Sequence, residues 1–167
     1  MSVHAYLPLL RQGSWFNALP ESLNHALINS AQVQQIASGQ RLFSRGDQPC
    51  GLYAVLDGTI GVGAVDTQGK QALLTLVEAP NWFGEISLFD GLPRTHDAVA
   101  EAPSRVLLVP QHVLLALLAE HPEYWRDMAL LMSHKLRLAF IALEDMSLLP
   151  AAKRLAHRLL LMAHNYG

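Results

Sequence analysis

A carboxylate directly follows a glycine at Gly84-Glu85, and a guanidinium directly precedes a hydroxyl at Arg94-Thr95. Gly84 lets the backbone approach a bound group closely. Ile86, Leu88 and Phe89 have the spacing of a short helical turn on an apolar base, with Ser87 between them. Gly91 and Pro93 then break the chain ahead of Arg94. Free N–H groups on such a turn, together with Arg94 and Thr95, suit phosphate oxygens. Glu85 suits a sugar hydroxyl, because a carboxylate only accepts. Gly84, Glu85, Arg94 and Thr95 are therefore candidate binding residues, with Ile86 and Ser87 on the turn between them, and a sugar phosphate or another small anionic ligand is the chemistry they fit.

Such a cradle needs a rigid frame, and the flanking sequence supplies one. Residues from Val3 to Ile36 read as a broken run of short helices, carrying Leu7, Leu9, Leu10, Trp15, Phe16 and Leu19. A new start follows at Pro20-Glu21-Ser22, ahead of Leu23, Ala26 and Leu27. From Gly39 the texture becomes glycine-punctuated. The runs Arg41–Phe43, Gly51–Leu56, Thr59–Val62 and Ala72–Val77 suit strands, Asp57-Gly58 marks a hairpin, and Arg45-Gly46-Asp47 and Thr67-Gln68-Gly69-Lys70 read as turns. His96–Glu101 and Ser104–Val109 complete the set. Many short strands at close spacing predict an antiparallel sandwich or barrel, mainly β with helices (α+β).

After Pro110, Val113, Leu114, Leu117 and Leu118 form one apolar stripe, which His121-Pro122 stops. A long helix is predicted from Glu123 to Met146, with Pro122 at its start. Trp125, Ala129, Met132, Leu136, Ala139, Leu143 and Met146 alternate steps of four and three, a heptad seam. Met128, Leu131, Leu138 and Ile141 lie off that seam, so a second face is also apolar. One face can cover the helix's own domain, leaving the other for the same helix of a second copy. Burial on all sides within one chain is the alternative. Pro150 opens a last helix from Ala151 to Tyr166, with Leu155, Leu159, Met162 and Tyr166 on one side and Gly167 as a stop.

The chain has 167 residues, 51% of them hydrophobic, and a formal charge of −2, so it is globular and lacks the basic footprint of a nucleic-acid binder. Its single cysteine, Cys50, excludes internal disulfides and cysteine-ligated clusters and favours a reducing, cytoplasmic setting. No secretory signal or membrane span is expected.

Phe83-Gly84-Glu85-Ile86-Ser87-Leu88, followed by Arg94-Thr95 and Ala98-Val99-Ala100, resembles the phosphate-binding cassette of cyclic-nucleotide-binding domains. Leu42-Phe43-Ser44-Arg45-Gly46-Asp47 and Gly51–Gly58 resemble the first strand motif of the same domains. With the heptad helix, nearly the whole chain is similar to the Crp/Fnr family of bacterial transcription regulators. The resemblance implies a jelly-roll type β-roll (a double-stranded β-helix) enclosing a ligand pocket, and a homodimer formed through helix 122–146. It implies a sensor domain over residues 1–121. Residues 147–167 would be the opening helix of a winged helix-turn-helix domain that is absent, so DNA would be bound only through that missing part. The chain would then be cut by design or naturally short.

Carried over, Glu85 would accept the ribose 2′-OH, and Arg94, aided by Thr95 and the N–H groups of Gly84 to Ser87, would hold the cyclic phosphate of cAMP or cGMP. Two positions depart from the family pattern. His96 stands where the cassette commonly has alanine. Ala139 and Phe140 stand where cAMP-responsive relatives present small hydroxyl side chains to the base, so weak affinity or poor base selectivity is expected. Neither metal nor haem is expected, and no membrane partner. A vestigial pocket with Glu85 and Arg94 paired to each other stays open, as does a binding module coupled to an effector other than DNA. A cupin-type enzyme would need clustered histidine ligands on the strands, and His96 is the only histidine between Gly39 and Val109.

Overall fold

Strand β3 (Gly51–Asp57) is buried from Gly51 to Leu56, so it must be covered on both faces. Its side chains divide by parity, as the two-residue period of a strand requires. Leu52, Ala54 and Leu56 join one apolar core with the helices, while Tyr53 and Val55 join a second core inside the roll. Two further strands obey the same split. Trp82 of β6 (Trp82–Phe83) and Leu107 of β8 (Ser104–Pro110) face the helices, and Phe83 and Val106 face inward.

In the computed structural model, which describes residues 2–65, 68 and 70–163, β1 (Gln32–Ile36), β8, β3 and β6 form one four-stranded sheet in that order. The other sheet runs β2 (Arg41–Phe43), β7 (Asp97–Ala100), β4 (Thr59–Val65), β5 (Gln71–Glu78). Every strand pair is antiparallel, which gives the predicted β-roll. Asp57-Gly58 makes its turn with Gly58 at φ 80°, a left-handed conformation that glycine adopts without strain. Thr67 and Gly69 of the second predicted turn lie outside the described residues.

One part of the sequence reading is corrected. The N-terminal helices α1 (Leu7–Leu10), α2 (Ser14–Ala18) and α3 (Glu21–Ser30) follow a 3-10 turn at Val3–Tyr6, but helix does not continue to Ile36. Gln32–Ile36 is an edge strand in register with β8, Gln32 opposite Leu108 and Ile36 opposite Ser104. Backbone pairing to β8 holds this polar segment extended, with little help from its side chains. The helices bury Leu10, Phe16, Leu23 and Leu27 completely, and Phe16 stacks on Trp82 with ring centroids 5.4 Å apart.

The remaining helices are α4 (Ile86–Asp90), the predicted short turn between β6 and β7, then α5 (Gln111–Glu120), α6 (Trp125–Leu148) and α7 (Ala151–Ala163) toward the C-terminus. A 3-10 turn at Pro122–Tyr124 precedes α6. The N-terminal helices clasp the start of α6: the Trp15 indole N–H donates to Asp127 O at 2.8 Å, and the Tyr124 hydroxyl to Ser22 Oγ at 2.7 Å. Met128 and Leu131 are buried in the helix-side core. The seam starts on the domain, where Trp125 packs on Phe89 with ring centroids 5.4 Å apart, and faces out from Leu136 onward, with Leu136, Leu143 and Met146 54%, 57% and 68% exposed. Met128 and Leu131, off the seam, therefore cover the domain together with Trp125, and the seam is left open from Leu136 onward. Helix α7 turns back, its His157 paired with Asp145 at 2.5 Å and its Arg158 donating to Leu74 O. Tyr166 and Gly167 lie outside the described residues. No helix among the described residues is long and apolar enough to cross a membrane.

Candidate functional site

The two sequence motifs meet through the backbone of Arg94. Its N–H donates to Asp47 O and its carbonyl accepts from Gly46 N–H, each at 2.8 Å. The turn at Arg45-Gly46-Asp47 thus fixes where Arg94 leaves the chain. The side chain then runs inward and is 4% exposed. Its guanidinium lies over the Phe43 ring, 4.4 Å from the centroid, a cation–π contact. It donates to Gly84 O at 2.7 Å, Gly51 O at 2.5 Å and Cys50 Sγ at 3.1 Å. Nε is buried with no partner among the described residues. Phe43, Tyr53 and Phe83 form the aromatic wall around it, with centroids 5.3–6.2 Å apart. Burial pushes the Tyr53 phenol pKa up, and its contact with Cys50 adds to the shift.

Gly84 makes this seat possible. Its φ is 93°, and a Cβ there would come within 3.0 Å of Arg94 Nη1 and 3.1 Å of Gly51 O. Glu85 follows and enters α4 with only 3% of its surface exposed. It does not pair with Arg94: Lys135 Nζ of α6 lies 2.6 Å from Glu85 Oε2. The cassette carboxylate is thus joined to the long helix across 50 positions of sequence. Lys135 is 35% exposed, so solvent screens the pair from one side. Lys135→Met and Glu85→Gln should each lower stability by about 1–2 kcal/mol, and the double variant should lose about 1 kcal/mol less than their sum. Thermal melts of the four proteins measure this, and strict additivity would deny the coupling.

The remaining predicted residues divide. Ser87 is buried on α4, whereas Ile86 is 41% exposed at its mouth. Thr95 is exposed, and its hydroxyl is 2.9 Å from His96 Nδ1. His96 thus bonds its cassette neighbour; desolvation, with Arg45 nearby, lowers its imidazole pKa. On α6, Ala139 and Phe140 are exposed, Phe140 by 62%. In the first turn of α4 the Leu88 N–H donates to Glu85 O at 3.0 Å. Buried opposite charges beside a positive-φ glycine can together hold a phosphate next to a sugar hydroxyl. Sequence reasoning missed Lys135 and the Cys50-Gly51 seat. Lys135 had a readable signal, one helical turn before Ala139 on the same face.

Residues 33–121 match the family model described as the cyclic nucleotide-binding domain. The chain is 26% identical over 159 residues to the CRP-like cAMP-activated global transcriptional regulator of Mycobacterium tuberculosis, covering 95% of this chain and 71% of that protein. It is 30% identical to the cyclic AMP receptor protein of Thermus thermophilus, covering 84% of this chain and 65% of the relative. Among solved structures, the N-terminal domain of a transcriptional regulator from Streptomyces coelicolor superposes with a TM-score of 0.64 at 28% identity, covering 78% of this chain and 94% of that one.

Proposed function

The chain belongs to the cyclic nucleotide-binding domain family, and from that premise we propose that it is the effector-sensing and dimerisation portion of a cytoplasmic transcription regulator, not an enzyme. The observation that carries this reading is the pair of buried cassette charges. Arg94 and Glu85 are both held in place, and Glu85 is tied to α6 by Lys135. A cyclic nucleotide placing its phosphate at Arg94 and its ribose hydroxyl at Glu85 competes for groups that now bond within the protein. It therefore favours a different balance of contacts between the cassette and α6. That differential affinity is what a population shift requires. A change in how α6 sits would alter its pairing with a second copy through the exposed seam. In a longer chain, it would reorient whatever follows α7, including a DNA-binding domain.

The base has less to recognise it. Ala139 offers no side-chain hydrogen bond, and Phe140 offers only a ring face. Calorimetry with cAMP and cGMP tests the proposal. Binding of both, with less than about tenfold preference, is the expected result, since each tenfold corresponds to about 1.4 kcal/mol. Failure of both nucleotides to bind at millimolar concentration would overturn the nucleotide reading. Tight cAMP binding with strong rejection of cGMP would overturn the account of the base.

A further inference from the structure

Gln111, the first residue of α5, reaches both walls of the cassette. Its side-chain Nε2 donates to Ser87 O of α4 at 3.0 Å. Its backbone N–H donates to Cys50 O, also at 3.0 Å. Cys50 and the next residue, Gly51, supply Sγ and the carbonyl that hold the Arg94 guanidinium. One residue thus links the α4 turn that carries Glu85, the seat that carries Arg94, and the helix leading into α6. We propose that Gln111 is a positioning residue for the anion-binding cassette, setting α4 against the Arg94 seat and tying both to α5. This rests on the nucleotide-binding reading for its effect on affinity, but the tether itself is made between protein groups alone.

The local bonding separates this role from general packing. Ser87 O also accepts the Gly91 N–H at 3.2 Å, so removing the Gln111 amide does not orphan that carbonyl. Gln111 Oε1 is buried without a partner among the described residues. Replacing the amide by an apolar group of similar shape therefore removes one bond and relieves one unsatisfied acceptor, a nearly neutral exchange for the fold. The loss falls on the alignment of α4 with β3 and α5.

Gln111→Met removes the donor at constant volume, and Gln111→Glu sets a carboxylate against the Ser87 carbonyl. In the ligand-free protein, amide exchange at Leu88 and Gly91 is expected to quicken by roughly tenfold in Gln111→Met and by more in Gln111→Glu, while β3 keeps its protection. The Arg94 side-chain N–H resonances should shift in both variants. With cAMP as the probe, Kd should rise roughly tenfold in Gln111→Met with the melting temperature nearly unchanged. Unchanged exchange at Leu88 and Gly91 in both variants overturns the proposal, whether or not nucleotide binds. Faster exchange spread evenly over β3 and α4 with a lower melting temperature also overturns it, by making Gln111 a packing residue. If the unaltered protein binds no cAMP, the nucleotide reading fails on its own, and the exchange data alone decide the tether.

Discussion

Arg94→Leu is expected to abolish nucleotide binding and to destabilise the free protein by about 3 kcal/mol, which for a chain of this size lowers the melting point by about 10 °C. Both effects have one origin. The guanidinium is the charged donor to Gly84 O and Gly51 O, and each loses that donor in the variant. Leucine can still pack on Phe43, so the loss is chiefly of hydrogen bonds. Arg94→Lys separates charge from geometry. A single ammonium cannot span Gly84 O, Gly51 O and Cys50 Sγ as the planar fork does. Lysine should therefore recover some affinity for cAMP but little stability. Urea melts and calorimetry on both variants measure this, and Arg94→Lys matching the unaltered protein in both would refute the assigned seat.

The second large effect concerns assembly. Leu136→Glu with Leu143→Glu is expected to convert a dimer into a folded monomer, with the dissociation constant of the dimer rising by at least about a thousandfold. Two carboxylates per chain would have to enter an apolar seam without partners. Both side chains are more than half exposed in the single chain, so the fold itself should not suffer. Sedimentation of the unaltered protein at the 18.4 kDa of one chain would remove the dimer from the account.

What the sequence revealed follows from how local each feature is. The cassette was legible because its order of residue types is contiguous and the turns at Gly84 and Gly91 are marked by glycine. The roll was legible because glycines and turn signals punctuate its short strands, such as β3 and β4, along the chain. Strand β1 was read as helix because Gln32-Val33-Gln34-Gln35-Ile36 carries little apolar signal and owes its extended form to pairing with β8, distant in sequence. The partner of Glu85 was missed for the same reason. Lys135 sits on a helix whose visible pattern is its seam, and its one signal, the face it shares with Ala139, lies about 50 positions from Glu85. The direction of the Arg94 side chain was beyond local reading too, since the carbonyls that receive it belong to residues 51 and 84.

The clasp at the start of α6 makes that helix a lever. Trp15 and Tyr124 hold its near end, and Met128 and Leu131 are sunk in the core beside them. From Met128 the helix runs to Leu148, an arm of about 30 Å at 1.5 Å per residue. Lys135 grips the arm about a third of the way out. A tilt of about 5° at the clasp changes the Lys135–Glu85 separation by roughly 1 Å and carries the far end about 2.6 Å. On the proposed sensing role the cassette would act at the short end of the arm, where small adjustments of a hydrogen bond suffice, and the displacement would reach the start of α7, which Arg158 ties to Leu74 O.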